Sequence, residues 1–308
     1  MRIQITPNEI DRRQLTAEHL AQAVESVRQI GFVILGQVIP TPLLDLLFER
    51  MLTDLNTLLN ASDHVLPVNF VPGHLQQDVP PFAPYVFPEL VANPWVIQVT
   101  HALLGSGVKN TYFSGNTNLP GSAIQPVHTD GQQLWIHQQA AHPAAALIIN
   151  VAPLKVSEEN GSIELWPGSH HEMVITPDSS SIKVQLPDLG RREKVSPPVR
   201  GNTEKGDVLI RDNRLWHRGV PNHSEQPRPM IAMIHRTGWY NSGAKLKFQL
   251  GCESAFEHPV LDANAEFVDE PIDYLFRNRP YDYQESDLNN QTHQANKVAK
   301  NKEKIEQL

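Results

Sequence analysis

An imidazole and a carboxylate two residues apart, in Gln125-Pro126-Val127-His128-Thr129-Asp130-Gly131, are the side chains of this sequence best placed to do chemistry. Side chains alternate across a β-strand, so on a strand His128 and Asp130 project from one face. Such a pair is two-thirds of a 2-His-1-carboxylate site, which leaves three coordination positions open on one side of a non-haem iron. The candidate for the missing imidazole is His217, in Leu215-Trp216-His217-Arg218-Gly219, directly after the turn-and-strand unit Gly206-Asp207-Val208-Leu209-Ile210-Arg211. With 14 histidines and 34 acidic residues a His-x-Asp pair arises by chance, so it is the strand context that raises this one.

Eleven residues beyond His217 stands Arg228, at the start of the next apolar run. An arginine entering a barrel interior is costly unless a carboxylate or phosphate meets its fork of donors. That makes Arg228 a candidate anchor for a dicarboxylate co-substrate; a surface arginine at a strand start is the alternative.

The elements that must position these groups divide the chain by texture. Thr16 opens a helix whose Leu20, Val24, Val27 and Ile30 form one buried stripe, and Gly31 ends it. Phe32 to Leu35 suits a buried strand, and Thr41-Pro42 opens a second helix with a capping hydroxyl and an early proline. Asn93-Pro94 repeats that start, and the helix stops at Gly105. From about Tyr112 to Arg236 short β-type runs alternate with Gly, Pro and Asn, the pattern of a sandwich or jelly roll. Expected strands are Thr111 to Gly115, Gln125 to Asp130, Ala145 to Val151, Ser162 to Leu165, Val208 to Arg211 and Met230 to His235. The fold class is mainly β with flanking helices. One domain is expected over 1–287, with a helical layer at about 15–105, a jelly-roll core at about 110–240 and an extension to 287; the polar stretch 288–308 is a mobile tail.

Two proline-dotted segments interrupt this plan. Residues 61–87 carry five prolines with Phe70, Phe82, Tyr85 and Phe87 among them, and read equally as a lid over a ligand or as a surface loop whose aromatics dock on the core. Under the lid reading Phe70, Phe82 and Tyr85 touch substrate. Residues 175–205 form a second insertion that could close a jelly-roll mouth.

Composition bounds the rest. A chain of 308 residues with 40% hydrophobic content buries a large core. A net charge of −8 without a basic stripe speaks against nucleic acid, and no run reaches a membrane span, so a cytoplasmic protein with a small-molecule substrate is expected. The single cysteine, Cys252, excludes an internal disulfide framework. The remaining core-region histidines, His137, His142, His170, His171, His223 and His235, are read as structural. The oligomeric state is left open.

The segment 125–131, then Asn160-Gly161-Ser162-Ile163-Glu164-Leu165-Trp166-Pro167-Gly168-Ser169-His170, then Gly206-Asp207 through Trp216-His217-Arg218-Gly219 and Arg228, together resemble the phytanoyl-CoA dioxygenase family of iron(II)- and 2-oxoglutarate-dependent oxygenases. The resemblance covers roughly residues 15–240. It implies a double-stranded β-helix (jelly-roll, cupin-like) holding Fe(II) through His128, Asp130 and His217, with Arg228 on the distal carboxylate of 2-oxoglutarate and dioxygen at the remaining position. Many relatives carry a hydroxyl two places after the arginine where this chain has Met230, so Thr129 or Trp135 is expected to supply the second donor. Asn116 and Asn118 are candidates for the co-substrate's other end, or turn residues. Asp130 disfavours halogenation. Hydroxylation of a specialised metabolite is the expected outcome, with desaturation, cyclisation and epimerisation open. The competing readings are a non-catalytic metal-binding jelly-roll protein and a zinc-type cupin enzyme.

Overall fold

The computed structural model describes residues 1–135, 138–173, 182–240 and 243–281; His137 and the expected tail lie outside them. In chain order, β1 (Arg2–Gln4), α1 (Pro7–Arg12), α2 (Ala17–Ile30), β2 (Phe32–Gly36), α3 (Thr41–Asn60), β3 (His74–Leu75), α4 (Pro88–Val91) and α5 (Pro94–Leu104) come first. They are followed by β4 (Lys109–Asn118), β5 (Ala146–Val151), β6 (Glu164–Leu165), α6 (Leu186–Val195), β7 (Val199–Arg200), β8 (Val208–Asp212), β9 (His217–Arg218), β10 (Arg228–Arg236), β11 (Leu246–Gln249) and β12 (Ala265–Val268).

The helix starts follow local chemistry. The Thr16 hydroxyl accepts from the His19 N–H, and Gly31, at φ 88°, closes α2 in the left-handed region that glycine tolerates. Asn93 caps α5 through the Val96 N–H ahead of Pro94. In α3 the expectation fails by one residue: Thr41 is already helical, Pro40 takes the cap position, and no side chain caps the helix. Proline's preset φ, rather than a hydroxyl, starts this helix.

Seven strands form the larger sheet in the order β1-β2-β8-β5-β10-β4-β3, and a smaller sheet has the order β7-β6-β9. Together they make the jelly-roll core. The larger sheet is two-faced by alternation. Leu147, Ile149, Val151, Val208, Ile210, Ile231 and Met233 join Leu44, Leu47 and Met51 of α3 and Val96 and Val99 of α5 in one buried cluster. The residues between them, Ile148, Asn150, Arg211, Arg228, Met230, Ala232 and Ile234, line a cavity on the opposite face. Helices cover one face, and the smaller sheet stands across the cavity from the other.

Gln125 to Asp130 is not the continuous strand expected. Among the described residues its ladder bridges are those of His128, to His217 on one side and to Lys183 on the other. Pro126 has no N–H to offer a ladder, and the Asp130 N–H turns away to the carbonyl of Asn213. The 175–205 insertion contains α6 and a segment that pairs with the ligand-bearing strand, Val184 N–H to Val127 O at 2.8 Å. Residues 174–181 of it lie outside the described set. Among the described residues no helix is long and apolar enough to cross a membrane.

Candidate metal centre

His128 and His217 face each other across two antiparallel segments. The His128 N–H donates to the His217 carbonyl at 2.9 Å and the His217 N–H returns to the His128 carbonyl at 3.0 Å. Directly opposed residues of such a pair place their side chains on one face, and the two ring centroids lie 4.4 Å apart. Each Nδ1 lies 2.9 Å from the carbonyl two residues before it, Pro126 for His128 and Leu215 for His217. A carbonyl only accepts, so Nδ1 carries the proton and Nε2 the lone pair in both rings. The tautomer a metal ligand needs is therefore set by the backbone of the same strand.

Asp130 is brought in by the turn between β8 and β9. The Asn213 carbonyl accepts from the N–H groups of Asp130 and Gly131 at 2.9 and 3.0 Å. A Cβ at position 131 would meet the side-chain Nδ2 of Asn213 at 2.2 Å, so glycine leaves room for the Asn213 side chain. Arg214 stiffens the turn, donating through Nε and Nη2 to the Asp212 carboxylate at 2.9 and 2.7 Å. In consequence one ligand atom from each of His128, Asp130 and His217 lies within 4.8 Å of the others. This is the one such cluster found among the described residues.

Arg211, from the cavity face of β8, donates to Asp130 Oδ2 at 2.5 Å and to Asn150 Oδ1 at 3.1 Å. The Arg211 guanidinium beside it holds the Asp130 carboxyl well below the usual carboxylate range. Burial, and next Arg211, push the His217 imidazole well below its ordinary value. Two imidazole nitrogens and one anionic oxygen suit a divalent first-row metal with open positions, and the absence of thiolate makes the set a poor match for soft-metal sites.

At the other end of the cavity-facing row, Arg228 is 4% exposed. Its Nη2 donates to the Gly161 carbonyl at 3.1 Å, its Nη1 lies 3.8 Å from the Met230 sulfur, and its Nε has no partner among the described residues. Burial, and then the nearby charge of Arg200, bring its pKa down to about 10. A buried guanidinium with an orphaned donor and, among the described residues, no carboxylate partner is suited to be completed by an anion.

The triad and Arg228 line one cavity of about 440 Å³. Asn116, opposite Met230 in the β4–β10 register, lines it too, as does Phe70, whose ring centroid is 4.4 Å from that of His128. Five residues singled out from sequence stand elsewhere, and each is a correction. Asn118 is fully buried, donating to the Val220 carbonyl and accepting from Ser122, so it ties two turns together. Thr129 falls between the two ligands and outside the cavity lining, as alternation requires. Trp135 is 49% exposed and packs edge-on against His142. Phe82 and Tyr85 form an edge-to-face pair at 5.6 Å beneath the Arg50 guanidinium of α3, which lies 5.1 and 5.4 Å from their centroids. Those two aromatics dock on the helical layer.

Sequence reasoning passed over Arg211, His74, Gln76, Tyr112 and Asn150, all in the cavity lining, and Asn278, Arg279 and Tyr281 from the extension. Arg211 had a signal: a charge closing the apolar run Val208–Ile210. His74 is neutral, since burial lowers its pKa to about 4, and its Nε2–H donates to the Ala123 carbonyl 2.8 Å away, which puts the one ring proton on Nε2.

Comparison with known proteins finds a family by sequence. The family model for phytanoyl-CoA dioxygenase (PhyH) matches residues 60–230. A curated relative, the dioxygenase af480 of Aspergillus fumigatus, is 25% identical over 143 residues, which is 44% of this chain and 40% of that protein, so the match spans under half of the relative. Solved structures share the fold. SnoN, a non-heme alpha-ketoglutarate-dependent epimerase from nogalamycin biosynthesis, aligns at TM-score 0.53 and 17% identity over 74% of this chain and 88% of its own. EvdMO1 aligns at 0.53 and 24% identity, over 71% and 50%. AviO1 of Streptomyces viridochromogenes Tue57 aligns at 0.51 and 22% identity, over 72% and 96%.

Proposed function

Because the chain belongs to the phytanoyl-CoA dioxygenase family, we propose that it is an iron(II)- and 2-oxoglutarate-dependent dioxygenase that hydroxylates a small molecule, a specialised metabolite in a biosynthetic pathway. The observation that carries this reading is one cavity with a His-Asp-His donor set at one place and an orphaned buried arginine at another. The metabolic setting is supported by the fold shared with an enzyme of nogalamycin biosynthesis.

Ferrous iron bound with 2-oxoglutarate supplies conversion of a C–H bond to C–OH by dioxygen, with succinate and carbon dioxide as the keto acid's products. The protein's part follows from its own groups. His128 and His217 offer Nε2 lone pairs fixed in direction by their Nδ1 hydrogen bonds. Asp130 offers one negative charge, kept ionised at any working pH by Arg211 and held from rotating by it. Arg228 pairs with the distal carboxylate of the keto acid, which restores the solvation its burial removed. Phe70, Ile148 and Ile234 give the cavity apolar walls that exclude water.

The test is anaerobic visible spectroscopy of metal-free protein titrated with Fe(II) and then 2-oxoglutarate, in wild type and Arg228→Ala. A weak charge-transfer band that needs both additions and is lost or right-shifted in concentration dependence in the variant is expected. Iron binding without such a band in wild type would overturn the co-substrate assignment.

A further inference from the structure

The family match ends at residue 230, yet the cavity is completed by a segment far beyond it, the strap from Ile272 to Tyr281. The strap is tied down over the aromatic turn at Asn69-Phe70. The Tyr281 N–H donates to the Val68 carbonyl at 2.8 Å, and the Phe70 N–H donates to the Tyr281 carbonyl at 3.0 Å. Arg277 Nε donates to the buried Asp78 at 2.5 Å, and the Asn278 amide to the Gln76 carbonyl at 3.2 Å. Phe70 itself holds φ 63°, a costly backbone for a bulky residue, and packs on the His128 ring. The strap is thus mechanically continuous with the metal centre.

Arg279 is the strap's charged contribution to the cavity. Its Nη1 donates to the Phe276 and Asn278 carbonyls at 2.6 and 3.0 Å, which holds the exposed guanidinium at the cavity wall while leaving it without a carboxylate among the described residues. The other charges of the lining are Arg211, matched by Asp130, and Arg228, matched on the reading above by the co-substrate. Among the described residues of the lining, three arginines stand against one aspartate, in a chain of net charge −8, so the described wall is positive.

We propose that Arg279 anchors the substrate, and that the substrate carries an anionic oxygen group, a carboxylate or a phosphate ester, on the side opposite the carbon to be oxidised. The proposal rests on the dioxygenase reading for the pairing of Arg228, and Arg279 acts as a specificity-determining residue outside the shared family core. A guanidinium reads either anion through two parallel N–H···O bonds, and a neutral amide of the same shape offers it no such acceptor pair.

The experiment is calorimetric titration of protein loaded with manganese(II) and 2-oxoglutarate against three matched probes: 4-phenylbutyrate, 4-phenylbutyl phosphate and 4-phenylbutanamide. At least one anion is expected to bind about tenfold or more tighter than the amide, with the preference lost in Arg279→Gln and reduced but still present in Arg279→Lys, which keeps the charge and loses the fork. Whichever anion is preferred identifies the group. Equal binding of all three, no binding, or a preference that survives in Arg279→Gln would overturn the proposal. Titration of 2-oxoglutarate itself into wild type and Arg228→Met reports on the dioxygenase reading separately, so the failure of one is visible without the other.

Discussion

Replacing Arg228 with Met separates a functional arginine from a structural one by sign. The Arg228 guanidinium is 4% exposed, donates to one carbonyl, and leaves Nε without a partner among the described residues. Burial lowers its pKa to about 10, so its charged form carries a penalty of about 3 kcal/mol in the folded state. Methionine of similar reach removes that penalty and forfeits the Gly161 hydrogen bond, worth about 1 kcal/mol. The variant is therefore expected to be more stable by about 2 kcal/mol, a rise in Tm of roughly 4 °C. The same change removes two charge-assisted bonds to the keto acid, at least about 3 kcal/mol, or about 100-fold in 2-oxoglutarate affinity. Urea unfolding of metal-free protein and calorimetric titration of 2-oxoglutarate into manganese-loaded protein measure the two quantities. A variant that is less stable than wild type, or that binds 2-oxoglutarate equally well, would refute the argument.

Three further outcomes are expected. Arg211→Met frees the Asp130 carboxylate to rotate and should weaken ferrous-ion binding about 10- to 100-fold; an unchanged metal titration would deny Arg211 its positioning role. His74, His170 and His235 are buried with pKa values lowered to about 4, 4 and 3, mainly by burial, so the unfolded chain binds more protons than the folded one below their ordinary range. Their stabilising contribution is whole above about pH 6.5 and is lost as pH falls toward 4, and His235→Gln should lower the pH slope of unfolding free energy there by about one proton. Phe82→Ala should cost about 1–2 kcal/mol of stability and leave 2-oxoglutarate turnover unchanged, whereas Phe70→Ala should raise substrate KM; equal kinetic effects would return the docked aromatics to the cavity.

Local rules carried much of the architecture. Thr16, Gly31, Asn93 and Gly105 mark helix ends by capping chemistry that acts within one turn, and the β-strand runs after Tyr112 are visible because alternation is a property of consecutive residues. The His128, Asp130 and His217 cluster was legible for a related reason, since residue type and spacing are written in order. Where a rule needed a partner from elsewhere it failed. Gln125 to Asp130 reads as a strand, but Pro126 and the pull of Asn213 on Asp130 leave a single bridged residue. Phe82, Tyr85 and Phe70 look equivalent in one loop, and only the positions of Arg50 and His128 sort them into docked and cavity-facing.

The sequence by itself determined which atoms could bind a metal and where the strand runs of the core lie, because both follow from residue type and local order. Only the tertiary structure decided that Arg211 grips Asp130 across 81 positions and that Arg279 reaches the same cavity as His128. Those pairings depend on how sheets cross and where a remote strap is tied, and long-range closure leaves no periodic trace in the chain.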